Sequence, residues 1–357
     1  MIKSCYIHIP FCKNICSYCD FCKMYYNKDF VDKYLLSLEK EINLYYKNDL
    51  LNTLYIGGGT PSCLDEISLK KLFKIVSIFK LNKTYEFTFE CNIEDINEKL
   101  LIFLKENKVN RISIGLQSFN KKYIEFMNRK YLNKKEITDK INLVKKYFNN
   151  INIDLIYGIN NETLKELQEE VDSFINLDVN HISLYSLILE DNTILKTKKY
   201  KEIDDDLNRK MYDYIRKTLK KNNYIHYEIS NFSKKGYMSK HNLCYWNNDN
   251  YYGFGLGSSG FIENIRYTNT RSLNSYINGN YRYYEEKIDK NRNMEYEMIL
   301  NLRKIKGISK KKFYKKYNLN IKDVFDVSKL KENKYYFYIP KKYLFVENYI
   351  LSDFILD

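Results

Sequence analysis

The sequence predicts an α/β fold with a parallel sheet, followed by a smaller region of helices and ribbon. Three observations carry that reading. Six short apolar runs succeed one another in the first half of the 357 residues. Stretches with apolar residues at helical spacing separate them, and the chemically suggestive side chains fall where the runs end. Repeated strand-helix units imply parallel strands. Six such units suit either an open doubly wound sheet or an incomplete barrel, and both gather ligands at the carboxyl ends of their strands.

The first strand spans Ser4 to Ile9. After a cysteine-rich loop, Phe30, Val31, Tyr34, Leu35, Leu38 and Ile42 stand at helical spacing, which predicts a helix over about 28–47. A short strand, Thr53 to Ile56, runs into Gly57-Gly58-Gly59-Thr60-Pro61, and a helix is expected over about 66–79. Strands at Tyr85 to Cys91, Arg111 to Gly115, Ile151 to Tyr157 and His181 to Leu187 alternate with helical pattern over about 94–107, 120–148 and 163–175.

From about residue 191 the rhythm breaks. A polar connector leads to a helix over about 205–221, then to an aromatic, glycine-containing segment holding Tyr227 to Ser230, His241 to Trp246 and Tyr252 to Gly257. Helices near 295–303 and 309–317 follow, with β-favouring aromatics at Tyr335 to Tyr338 and Tyr343 to Val346. The expected organisation is a barrel-like unit over 1–190, a connector and aromatic region over 191–285, and a small α+β domain over 286–357.

Composition is that of a globular protein long enough to bury a sizeable core. No apolar run approaches a membrane span, and the first strand is preceded by neither an apolar nor an Arg-rich leader. Eight cysteines in such a chain fit a reducing cytoplasm, where thiols are free or bind metal. The net charge of +14 is spread through nearly every segment with no basic patch, so it reads as solvated surface and no nucleic-acid partner is expected.

The most informative stretch is Tyr6-Ile-His-Ile-Pro-Phe-Cys12-Lys-Asn-Ile-Cys16-Ser-Tyr18-Cys19-Asp-Phe21-Cys22. Cys12, Cys16 and Cys19 stand at C-x3-C-x2-C, so one loop can bring three thiolates to a soft metal centre with a position left open. A structural zinc site usually adds a second Cys pair or His ligands. Reactive or merely structural cysteines remain the third reading. Downstream, Gly57 to Gly59 directly after a strand leave backbone that a ligand can approach closely. The turn is neither a dinucleotide fingerprint nor a Walker loop.

Together, the cysteine loop after the first strand and the GGGTP turn after the second resemble the radical S-adenosylmethionine superfamily. The stretches YIHIPFC, YCDF, LYIGGGTPS, FTFECN, RISIGLQSF, DLIYGI and HISLYSLILEDNT extend the resemblance to its oxygen-independent coproporphyrinogen III oxidase-like branch over nearly the whole chain. The resemblance implies an incomplete (β/α)6 barrel, a 4Fe-4S cluster on Cys12, Cys16 and Cys19, and S-adenosylmethionine on the open iron. It places Tyr6, Tyr18, Gly58, Gly59, Thr60, Glu90, Gln117, Arg129 and Asp154 at that cofactor.

Two kinds of protein share the branch. The oxidases of porphyrin biosynthesis carry a further cysteine two residues after the third ligand and a long extension before the first strand. Here position 21 is Phe and Tyr6 lies near the start. Both differences point toward the shorter HemW-type haem chaperones, which resemble this chain also in YEISNF and in the block His241-Asn-Leu-Cys-Tyr245-Trp246. That resemblance implies haem as bound cargo, His241 as a haem contact, and haem-accepting proteins as partners, with peripheral contact to membrane-bound acceptors. The alternative is radical decarboxylation of coproporphyrinogen, so whether the chain is an enzyme stays open. His8 is expected to orient the cysteine loop, His181 and His226 to be structural, and Cys22 to be a substitute ligand or buried.

Overall fold

A computed structural model describes residues 1–356. At its centre is a sheet of nine strands. The six expected strands are present as β1 (Ser4–Ile9), β2 (Leu50–Gly58), β3 (Lys80–Asn92), β4 (Arg111–Gln117), β5 (Ile151–Tyr157) and β6 (His181–Ser186), paired in parallel in chain order. Three more come from later in the chain: β7 (Ile225–Glu228), β8 (Asn231–Ser233) and β9 (Tyr252–Phe254). β9 lies parallel to β1 at one edge, while β8 runs antiparallel to β6 and carries β7 at the other. The edges do not pair with each other, so the sheet is an incomplete barrel. The three late strands are three or four residues long, too short for a period-2 pattern to register.

Helices α1 (Lys28–Tyr45), α2 (Glu66–Val76), α3 (Glu98–Glu106), α4 (Lys121–Phe126), α5 (Lys134–Tyr147) and α6 (Leu164–Asn176) follow the strands. Their starts are set by caps. Asn27, Asp65, Asn97, Asn133 and Thr163 each accept a hydrogen bond from a first-turn N–H, satisfying donors the helix cannot. This explains why the pattern expected over 94–107 becomes a 3-10 turn at Ile93–Asp95 and a helix only from Glu98. Likewise the pattern over 120–148 divides at Asn133.

Side chains on a strand alternate between faces, and here the alternation separates two environments. Along β4, Ile112, Ile114 and Leu116 enter the hydrophobic core, as do Ile153 and Leu155 of β5. Arg111, Ser113, Gly115 and Gln117 of β4, with Asn152, Asp154 and Ile156 of β5, face inward and line a cavity. The inner face is thus mostly polar, and the barrel encloses a ligand-sized space instead of a packed core.

Beyond the barrel, α7 (Asp205–Lys221) packs on α6, and α8 (Lys240–Trp246) leads to β9. A second sheet, β10 (Ser259–Ile262), β11 (Ile265–Asn269) and β12 (Arg282–Lys287), follows. The last region holds α9 (Lys290–Leu302), α10 (Lys310–Tyr317) and a small ribbon of Ile308–Ser309, Lys331–Glu332 and Tyr336–Tyr338. The β-favouring aromatics at Tyr343 to Val346 form no strand. Lys341–Val346 is a 3-10 helix continuing into the helix Glu347–Leu351, because Pro340 just ahead lacks the N–H a ladder needs and presets a helical start.

Two buried carboxyls tie this frame together. Glu41 of α1 is fully buried and accepts from the Gly255 N–H (2.8 Å), the Asn269 side-chain amide (2.6 Å) and the Tyr276 hydroxyl (2.5 Å). Replacing it with Ala leaves the Gly255 N–H and the Tyr276 hydroxyl unpaired in the core, each costing about 1–3 kcal/mol, while Asn269 keeps its bonds to the Gly255 carbonyl and Ser258. Urea denaturation should show Glu41→Ala destabilised by about 3 kcal/mol or more, whereas the exposed Glu39→Ala changes little. Glu228 of β7 is also fully buried, and burial pushes its carboxyl up to about 7 from 4.5. The folded state therefore holds a proton that the unfolded chain releases above pH 4.5. This stabilisation is complete below that value and is lost as pH rises through 7. Glu228→Gln should flatten the decline in stability between about pH 5 and pH 8 by on the order of 3 kcal/mol; an unchanged slope would show that Glu228 ionises normally.

Candidate functional site

The site is built where β1 leaves the sheet. Phe11 and Cys12 pair with Met24 and Tyr25, closing the base of the cysteine loop. Cys12 is buried, Cys16 and Cys19 are half-buried, and all three line one cavity of 520 Å³ with Gly58, Gly59 and Thr60. The glycine turn fits because it has no side chains. A Cβ on Gly59 would meet Cys12 Sγ at 2.9 Å and the Phe11 carbonyl at 2.8 Å. Gly58 has φ of +117° and presses on the His8 ring, a conformation and a contact that favour glycine. Thr60 donates its hydroxyl to Cys12 Sγ at 3.5 Å.

The loop is clamped from beneath. His8 Nε2 donates to the Cys22 carbonyl (2.7 Å), which leaves Nδ1 to accept from the Tyr6 hydroxyl (2.9 Å). Burial holds the imidazole neutral, its pKa down to about 4. The expectation that His8 orients the cysteine loop agrees with this geometry. Cys22 is buried against Gly257, and Arg271 donates to the nearby Asp20 carbonyl at 2.8 Å. Lys23 donates to the Cys19 carbonyl.

The donor set fits an iron-sulfur cluster. Burial raises the Cys12 thiol to about 11, and the neighbouring Cys16 and Cys19 push it further up against the Thr60 hydrogen bond. Burial raises Cys19 as well. Thiols held protonated in this way, as Cys12 and Cys19 are, become thiolates readily when a cation binds them. Among the described residues no group of three or more His, Cys, Asp or Glu closes on a single ion. The three thiols stand around a cavity instead, and Cys12, Cys16 and Cys19 are the residues that would hold a cluster.

Most of the polar residues expected at the cofactor line the same cavity: Tyr18, Glu90, Gln117, Arg129 and Asp154. Glu90 braces the glycine turn, accepting from the Gly58 N–H (2.9 Å) and the Tyr55 hydroxyl (2.6 Å); burial raises its carboxyl to about 7. Arg129 donates to Asn92 (3.0 Å) and the Gly115 carbonyl (2.8 Å), and its guanidinium stands 3.9 Å from Cys16 Sγ. Gln117 ends β4 with φ of +71°, at an irregularity in the pairing with β5. Asp154 accepts from Asn152 at 2.8 Å.

Tyr6 and His241 stand apart from the cavity lining. Tyr6 is not among the cavity-lining residues; its hydroxyl is occupied by His8 and its ring lies near Tyr55 and His241. His241 is 1% exposed, with Nδ1 2.8 Å from the Thr53 hydroxyl and Nε2 2.7 Å from the Tyr245 hydroxyl. Burial pushes its pKa down to about 3. Both nitrogens of His241, expected as a haem contact, are engaged with these hydroxyls, and the ring fastens α8 to β2. His181, bonded to Asn152 and Tyr227, and His226, stacked on Phe232, are structural as expected.

Sequence reading passed over Arg111, Asn92, Asn152 and Tyr185 as site residues, although all line the cavity. The available signal was the alternation Arg111, Ser113, Gly115, Gln117, which puts four polar or small residues on one face of a strand otherwise made of Ile and Leu.

Comparison with known proteins agrees with this geometry. Residues 6–174 match the model of the radical SAM superfamily. The heme chaperone HemW of Lactococcus lactis subsp. lactis (strain IL1403) is 38% identical over 332 residues, spanning 90% of this chain and 87% of that protein. The heme chaperone HemW of Bacillus subtilis (strain 168) is 38% identical over 338 residues, spanning 91% and 89%. Among solved structures, coproporphyrinogen III oxidase (HemN) from Escherichia coli, a radical SAM enzyme, superposes with a TM-score of 0.86 over 99% of this chain and 90% of that one. At 20% identity that match shows a common fold. The chain belongs to the radical SAM superfamily and, within its coproporphyrinogen oxidase-like branch, to the HemW family.

Proposed function

We propose that this protein is a cytoplasmic haem chaperone: it binds haem and passes it to haem-accepting proteins, some of them at the membrane surface. A 4Fe-4S cluster on Cys12, Cys16 and Cys19 carries S-adenosylmethionine on its open iron. The observation that carries the reading is 38% identity to heme chaperones over nine-tenths of the chain. Phe21 supports it, since the oxidases have a cysteine at that place; here an aromatic ring, 68% exposed, borders the cavity. Eight free cysteines suit a reducing compartment, and no helix is long and apolar enough to cross a membrane.

When bound, the cluster and its cofactor supply one-electron chemistry at the cavity mouth. The chain's own residues do the rest. Gly58 and Gly59 let backbone reach the ligand, Arg129 places a positive charge beside Cys16, and Glu90, Gln117 and Asp154 offer acceptors for ammonium or hydroxyl groups. His8 holds the loop at the height the turn requires.

Anaerobically reconstituted protein should bind haem, read by its absorbance, and consume no coproporphyrinogen when given S-adenosylmethionine and reductant; turnover would make it an oxidase. Cys12→Ala should lose most of the bound iron, while Cys22→Ala keeps it, since Cys22 packs on Gly257 away from the cavity lining. Retained iron in Cys12→Ala would remove the cluster. His241→Ala should lower thermal stability but leave haem absorbance in place, because its nitrogens bond to Thr53 and Tyr245.

A further inference from the structure

Arg111 has no assigned task. It is the first residue of β4, at the opposite end of the strand from Gln117 and the cysteine loop, and its side chain lines the floor of the cavity. It is 2% exposed. Among the described residues its guanidinium makes no ion pair within 4.0 Å and no hydrogen bond, and its buried Nε has no partner. Arg129, by contrast, is fully engaged with Asn92 and the Gly115 carbonyl.

A buried guanidinium without hydrogen-bond partners is unfavourable until a ligand supplies them. The carboxyls of Glu90 and Asp154 are near enough to feel its charge, but neither accepts a hydrogen bond from it. Both oxygens of Glu90 already accept from Tyr55 and Gly58, and Asp154 accepts from Asn152. His181 and His241 are committed to other bonds, and Tyr227 is occupied by His181. What the guanidinium offers is a planar fork of N–H donors at the end of a cavity open to a ligand, and the matching group is a carboxylate, which a guanidinium binds bidentately.

We infer that Arg111 is the anchor for a carboxylate of the bound ligand, at the floor of the barrel and apart from the cysteine loop. The ligand that brings such a group to the floor is haem, through its propionates, since the amino-acid end of S-adenosylmethionine belongs at the open iron of the cysteine loop. The inference rests on the proposed function for haem as the ligand.

The test uses cluster-reconstituted protein and measures three affinities: haem, haem with both propionates esterified, and S-adenosylmethionine. Wild type is compared with Arg111→Gln and with Arg111→Lys, which keeps the charge but loses the fork. Arg111→Gln should weaken haem about ten- to a hundredfold and leave S-adenosylmethionine unchanged, and Arg111→Lys should recover part of that. Esterification should weaken binding to wild type by a similar factor and add nothing in Arg111→Gln. A fall in S-adenosylmethionine affinity alone would overturn the inference. If Arg111→Gln does not fold, Arg111→Lys and the esterification measurement on wild type decide. Unchanged affinity for both ligands in a folded Arg111 variant, or in Arg111→Lys together with unweakened binding of the ester, would overturn the inference. Failure of wild type to bind haem at all would end the chaperone reading, whereas haem binding that no Arg111 variant weakens would end this inference alone.

Discussion

The structure depends on one buried relay between helix α1 and the cysteine loop. Glu41 gathers donors from Gly255, Asn269 and Tyr276, so α1 is fixed to the chain segment after β9. One helical face further, the Tyr34 hydroxyl donates to the backbone carbonyl of His8 and stacks on Tyr276. The His8 ring in turn holds the Cys22 carbonyl. A carboxylate, two phenols and an imidazole thus connect the outer helix to the thiols without a charge reaching the surface. Such networks specify a single geometry because every member is satisfied.

That fixed loop meets an unusual sheet. In a barrel whose interior is packed, inward residues are branched and apolar. Here the inward positions are Arg111, Ser113, Gln117, Asn152 and Asp154, and the hydrophobic effect acts almost entirely on the outer face, between strands and helices. The division lets the interior stay polar and chemically varied while the shell provides the stability. It also explains why carboxyls such as Glu90 sit inside with raised pKa values: they are shielded by the same walls that shield the ligand.

Much of this was legible in the sequence, for reasons that differ by element. The six parallel strands were visible because Ile-rich runs and capped helices alternate with little ambiguity. The cluster cysteines and the glycine turn were visible because their chemistry is compressed into short local motifs. The three short strands were not, since what makes Tyr252–Phe254 a strand is the exposed flank of β1, a fact of tertiary structure. The partners of His241 were hidden for a related reason: an aromatic neighbourhood in sequence does not say that an imidazole also meets a Thr53 hydroxyl. Arg111 was passed over because, on paper, a charged residue at the start of a strand reads as an exposed end.

The seating of β9 against β1 has a consequence for biogenesis. β1 carries the cysteine loop, yet one of its two neighbours is residues 252–254, and the loop is packed from behind by Gly257, with Arg271 bonded to Asp20. During synthesis the first thiols leave the ribosome long before these contacts exist. Native pairing across such sequence separation is slow to form. The cysteine loop therefore reaches its final shape only after most of the chain has been made, and a metal cluster inserted earlier would meet flexible thiols, not the preset site of the folded protein.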